Sequence, residues 1–155
     1  MVQKTKINTE IGKQDLVITR EFDLPLELLF RAYVEPELIA QWMGTKVVHL
    51  ESKKHGSWQF ETSDAQGNLV FKAHGVIHDL IPNQKIIRTF EMENAPFGVQ
   101  LECLDFEAVT DDISKLTMQV IYRSVEQRDL MLKLPFAYGL NMAHNKLQDI
   151  VNKLK

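Results

Sequence analysis

The chain has 155 residues, 45% of them hydrophobic and 25% charged, with a formal net charge of −3, the balance of one globular domain able to bury its own core and with no basic footprint for nucleic acid. A single cysteine, Cys103, excludes an internal disulfide and points to a reducing compartment. No run approaches the roughly 18 apolar residues of a membrane span, and none follows the basic residues of MVQKTKINTE as a secretory signal would require, so a cytoplasmic location is expected.

In chain order, residues 1–12 carry only Val2, Ile7 and Ile11 as apolar anchors and read as a loose tail, leaving 13–155 as one domain. Leu16 to Phe22 reads as a first strand. Asp23 is placed to cap the next helix, with Pro25 in its first turn, where a missing N–H costs nothing. Pro36 opens a second short helix, and Glu35, restricted by the proline ring, marks the break between them. A short strand is expected from Lys46 to Leu50. Trp58, Phe60 and Thr62 then alternate with Gln59 and Glu61, the period of a strand with one buried face. Asp64 to Asn68 turns into a long strand, Leu69 to Ile81, where Leu69, Phe71, Ala73, Gly75 and Ile77 share the face opposite Lys72, His74 and His78. Pro82-Asn83 leads into Ile86 to Met92, with Ile86, Phe90 and Met92 aligned, and Asn94 to Gly98 leads into Val99 to Val109. In that last strand the apolar set changes side, from Leu101 and Cys103 to Leu104, Phe106 and Ala108, which a bulge near Cys103 would explain. Leu116, Met118, Val120 and Tyr122 alternate cleanly. Ser124 to Gln127 has the form of a capping box, and Pro135 opens a long helix in which Phe136, Leu140, Ala143, Leu147, Ile150 or Val151, and Leu154 recur at three- and four-residue steps. The sum is an α+β chain of about seven strands, one before two short helices and the rest a meander, with a long C-terminal helix covering a curved antiparallel sheet.

That order resembles the helix-grip fold of the START and Bet v 1-like (SRPBCC) superfamily. More narrowly, ITREFDLPLELLFRAYVEPELIAQWMG, Ile18 to Gly44, resembles the opening of the family named for the C-terminal domain of the activator of the heat-shock protein 90 ATPase. The likeness lies in Arg20 and Phe22 at the strand end, the Pro25-led helix with Phe30-Arg31-Ala32, Glu35-Pro36-Glu37-Leu38, and the close on Trp42-Met43-Gly44. Gly56-Ser57-Trp58, His74-Gly75-Val76 and Gly139 also fit the layout. Met43 and Leu140 depart from it, standing where tryptophan is common and replacing a rigid ring with a more pliable side chain. The resemblance implies a cavity between sheet and long helix, with the two short helices at its mouth.

On that architecture Trp42, Met43, Trp58, Phe60, Phe71, Phe90, Met118, Phe136 and Leu140 are candidates to line the cavity, with Tyr138 and Met142 beside them. Taken singly, each is more often ordinary core. Arg20, Arg88, His74 and Tyr122 are the possible polar contacts. Arg20 shares a strand face with Ile18 and Phe22, and Arg88 with Ile86 and Phe90. A buried arginine there would need a carboxylate or a ligand anion; the plainer expectation is that both lie at strand ends and snorkel to water. His74 and His78 have the spacing of zinc ligands on a helix, but on a strand four residues cover ~13 Å, so no metal is expected. His49, His55 and His144 read as surface residues, Glu102, Asp105 and Glu107 as solvent-facing carboxylates, and Cys103 as an inert thiol. There is no Gly-x-Ser-x-Gly and no phosphate-binding loop.

Bulky inward residues without an evident catalytic set point to a non-catalytic binding module, free of cofactors, for a lipid-like, aromatic or polyketide-like small molecule. Two alternatives stay open. The family name implies a regulator of a stress-response chaperone ATPase, although 155 residues leave little room for a separate chaperone-binding domain. A cyclase or hydrolase, as implied by the superfamily, needs a titratable group inside the cavity. Oligomeric state is not legible at this level.

Overall fold

The computed structural model describes residues 5–155. One antiparallel sheet is built from β1 (Lys6–Asn8), β2 (Asp15–Phe22), β3 (Lys46–Leu50), β4 (Ser57–Ser63), β5 (Leu69–Ile81), β6 (Lys85–Met92), β7 (Val99–Ala108) and β8 (Ser114–Ile121), in the order β1-β2-β8-β7-β6-β5-β4-β3. The helices are α1 (Leu26–Val34), α2 (Pro36–Met43), α3 (Val125–Leu132) and α4 (Phe136–Asn152). The sheet therefore has eight strands rather than seven. The extra strand is β1, inside the stretch expected to be a loose tail: Ile7 pairs with Ile18 at the sheet edge. Three residues with a single apolar side chain are too short to show an alternation. The first four residues of that expected tail lie outside the described residues.

The break between α1 and α2 has a specific chemistry. Helical geometry would satisfy the Ala32 carbonyl with the N–H of residue 36, and Pro36 has none. Glu35 is extended there (φ −94, ψ 120), and the indole Nε1–H of Trp42 donates to the Ala32 carbonyl at 2.7 Å instead. The tryptophan that closes α2 thus repairs the bond that its opening proline removes. Gly44 then ends α2 in the left-handed region (φ 61), where glycine carries no Cβ penalty. Asp23 does not cap α1: Pro25 occupies the cap position, and Asp23 instead receives a bond on its backbone carbonyl from Gln148 while its N–H donates to the same side chain. Ser124 does cap α3, accepting from the Gln127 N–H at 3.2 Å.

Strand β7 pairs with both neighbours in unbroken register through Cys103, so there is no bulge. The apparent change of side has another cause: Gln100, Glu102, Leu104 and Phe106 all face inward, and two of these four are polar. The main core joins Leu16, Ile18, Phe22, Leu104, Phe106 and Leu116 of the sheet to Leu29 and Phe30 of α1 and Leu147 and Val151 of α4. Phe30 meets Phe106 edge to face at 5.0 Å. Helix α4 packs on α2 and, with it, covers the inner face of the sheet.

Candidate ligand cavity

Between this sheet and its helical cover lies a cavity of about 230 Å³. The sheet contributes Ile18, Phe90, Met92, Met118 and Val120; the helices contribute Trp42, Met43, Met131, Phe136, Leu140 and Ala143. Four of the six methionines in the chain are in this wall. Methionine is unbranched and polarizable, so such a wall can adapt to guests of different outline. A cavity of about 150 Å³ takes a benzene-sized guest; this one has room for a substituted ring.

One side of the cavity is polar. Arg88 Nε donates to Glu102 Oε1 at 2.8 Å, and Gln100 Nε2 donates to Glu102 Oε2 at 2.7 Å. Glu102 is only 4% exposed. The Arg88 guanidinium also lies 5.5 Å from the Trp58 ring centroid and 5.9 Å from that of Phe90, within cation–π range. Trp58 reaches this position because it pairs across the sheet with Gly75, where a Cβ would sit 1.9 Å from the Thr89 carbonyl oxygen and 2.7 Å from the indole nitrogen. Tyr33 and Tyr122 complete the polar side. Burial first, then the nearby Glu102 carboxylate, push the Tyr122 phenol pKa up. Burial likewise raises that of Tyr33. Both phenols are neutral donors at ordinary pH.

Behind the wall runs a second polar cluster. His144 is fully buried on α4, with Nε2 at 3.0 Å from the Tyr33 hydroxyl and Nδ1 at 2.7 Å from Thr5 Oγ1. A neutral imidazole offers one donor and one acceptor, which two hydroxyls can match. Burial, and after it the Arg20 charge, depress the His144 pKa to about 3. Arg20, 2% exposed, donates to Thr5 Oγ1 and Asn141 Oδ1 at 3.3 and 3.4 Å.

Of the sequence candidates, Trp42, Met43, Phe90, Met118, Phe136, Leu140, Arg88 and Tyr122 border the cavity together. Trp58, Phe60 and Phe71 sit outside its lining, with the Trp58 ring tilted against those of Phe60 and Phe90 at centroid distances of 4.6 and 5.1 Å. Tyr138 and Met142 are exposed. His74 points away from the cavity to the outer face, 2.8 Å from Glu93. Neither Arg20 nor Arg88 snorkels to water: each turns inward, where partners distant in sequence hold it. His144 and Glu102 are buried, contrary to their expected surface positions. Each had a signal in the pattern: His144 falls in the 140-144-147-151 stripe, and Glu102 shares strand parity with Leu104 and Phe106. Cys103 is half-buried and its thiol pKa is pushed up, chiefly by burial, which keeps it protonated.

A family model for "Activator of Hsp90 ATPase homolog 1-like protein" matches residues 23–152. Among solved structures, a Rhodobacter sphaeroides protein aligns with a TM-score of 0.86 at 21% identity, covering 97% of this chain and 99% of that one. A Mycobacterium smegmatis protein aligns at 0.82 with 18% identity, over 98% and 99% of the two chains. A Nitrosomonas europaea protein aligns at 0.78 with 20% identity, over 95% and 100%. These likenesses establish a shared fold. Among curated proteins, no sequence matches.

Proposed function

The chain belongs to the Activator of Hsp90 ATPase homolog 1-like family, of the SRPBCC type, and we propose that this member works by holding a small, largely apolar molecule between the sheet and α4. The observation that carries the reading is the 230 Å³ cavity itself, apolar and methionine-rich on most sides and polar on one. Sites for small molecules share that plan, with a few placed polar groups fixing orientation. The volume favours a single substituted ring over a long acyl chain.

Catalysis by the same cavity is the weaker reading. Arg88, Glu102, Tyr33 and Tyr122 supply titratable groups, but both Glu102 oxygens are engaged by Arg88 and Gln100, and both phenols are shifted away from neutral pH. A general acid or base works best with a pKa near the operating pH. The chaperone reading rests on the family description alone; stimulation of a chaperone ATPase by the purified chain would support it.

Carbon-13 NMR of the methionine methyl groups tests the binding reading directly. Titration with small aromatic ketones and alkylbenzenes is expected to shift Met43, Met92, Met118 and Met131, and to leave Met142, 51% exposed and outside the cavity, where it is. In Leu140→Trp the added ring fills the space, and those shifts disappear while the fold persists. Cavity methyls that stay fixed across the whole panel would remove the proposal.

A further inference from the structure

Building on the binding reading, we infer that the cavity selects a neutral guest bearing a hydrogen-bond acceptor, such as an aryl ketone or other carbonyl compound, and disfavours carboxylates. The inference comes from how the Arg88 and Glu102 groups are used.

A guanidinium has five N–H donors and no acceptor. Arg88 commits Nε to Glu102, while Nη1 and Nη2 have no acceptor among the described residues and are not sealed away from solvent-sized space. The same residue lines the cavity. The donors therefore remain available to a guest. Acceptors are fewer: Glu102 Oε1 already accepts from Arg88 and Oε2 from Gln100, which leaves Gln100 Oε1 and the second lone pairs of the carboxylate against the four N–H bonds of Nη1 and Nη2. The Tyr122 hydroxyl, which has no hydrogen bond among the described residues, adds another donor on the same wall.

Charge decides which acceptor is welcome. A lone buried arginine would attract an anion, but Glu102 already neutralises this one at 2.8 Å. Bringing in a carboxylate would leave one net negative charge in an apolar enclosure, and the cost of desolvating it exceeds what a pre-neutralised partner returns. A carbonyl oxygen gives up little hydration and meets a charged donor. Hydrogen bonds to a charged group are stronger than neutral ones, so the preference should be measurable.

Three guests of matched size separate the possibilities: acetophenone, isopropylbenzene and benzoate, titrated at neutral pH into the full chain and read by the cavity methionine methyls. Acetophenone is expected to bind roughly tenfold more tightly than isopropylbenzene, and benzoate more weakly than either. Arg88→Met should erase the advantage of acetophenone. Because that change strands Glu102 without its partner, the double variant Arg88→Met with Glu102→Met serves if the single variant fails to fold, since an apolar replacement of a whole buried pair is tolerated. There, isopropylbenzene should bind at least as well as acetophenone. Benzoate matching or exceeding acetophenone in the wild type would overturn the inference, as would equal affinity for acetophenone and isopropylbenzene. Either result would leave the cavity itself standing as a binding site. Failure of all three guests to shift the methyls would bring down the binding reading instead.

Discussion

Arg20 and Arg88 project from inward strand faces with aromatic rings beneath them, yet the fold uses them in opposite ways. Arg20 lies 5.1 Å from the Phe22 centroid and is held by neutral oxygens, Thr5 Oγ1 and Asn141 Oδ1. Its Nε is buried with no partner among the described residues, and burial pulls its pKa down. Arg88, which lines the cavity, is held by a carboxylate through Nε, and its outer nitrogens have no acceptor among the described residues. The lesson is about donors rather than charge. Each is held through one nitrogen, but Arg88 lines the cavity, where its remaining donors can meet a guest, whereas Arg20 lies outside that lining and its Nη1 ties Thr5 to Asn141. Arg20, with His144, fastens the N-terminal edge of the sheet to α4 and supports Tyr33 from behind.

If that division is right, the sealed cluster should dominate stability and the cavity cluster should dominate binding. The largest effect is expected for His144→Ala. It deletes a fully buried ring that packs edge to face on Phe22 at 5.4 Å and leaves the Tyr33 hydroxyl without its partner. A loss of about 3 kcal/mol in chemical denaturation follows from the cavity and the orphaned donor together. A loss under about 1 kcal/mol would mean that the ring is not integral to the fold.

The next effect is a pH slope from the same residue. Folded His144 has a pKa of about 3, against an ordinary value of 6.5. Between those values the unfolded chain binds a proton that the folded chain refuses, so stability falls as pH drops through that window, at up to about 1.4 kcal/mol per pH unit. His144→Gln lacks this contribution. Urea titrations of both proteins at several pH values between 6.5 and 4 should converge toward acid, since the remaining groups cancel in the difference. Parallel curves would contradict a buried neutral imidazole.

The contrast between the two arginines also marks where sequence reasoning stopped. The strand and helix periods were legible because burial imposes them on neighbouring residues, as in Leu116, Met118, Val120 and Tyr122. Only part of the cavity's apolar wall followed from the same periods together with the family likeness: Trp42, Met43, Phe90, Met118, Phe136 and Leu140 line it, but Trp58, Phe60 and Phe71 do not, and Met92 and Met131 were not foreseen. The polar residues were misplaced because what permits their burial is far away in the chain. Arg20 depends on Thr5 and Asn141, Arg88 on Glu102, and His144 on Tyr33 and Thr5. No local window contains such pairs. The supposed bulge at Cys103 is instructive here, since the break in apolar alternation was real but marked the polar side of the cavity rather than a fault in the strand.

The smallest effect belongs to a third arginine, which completes the comparison. Arg31 on α1 bonds Glu35 one turn on, with Nε 2.6 Å from Oε2, a shorter contact than the Arg88–Glu102 pair. Both side chains of this pair, Arg31 and Glu35, are substantially exposed. The pair raises the pKa of Arg31 through the hydrogen bond to Glu35, but water and salt screen it, and holding two long side chains in one pose costs entropy. Arg31→Ala is therefore expected to leave the thermal midpoint unchanged within error at physiological salt, and to leave guest affinity unchanged as well. A clear drop in either would show that contact length, rather than burial and the use made of spare donors, ranks the arginines of this fold.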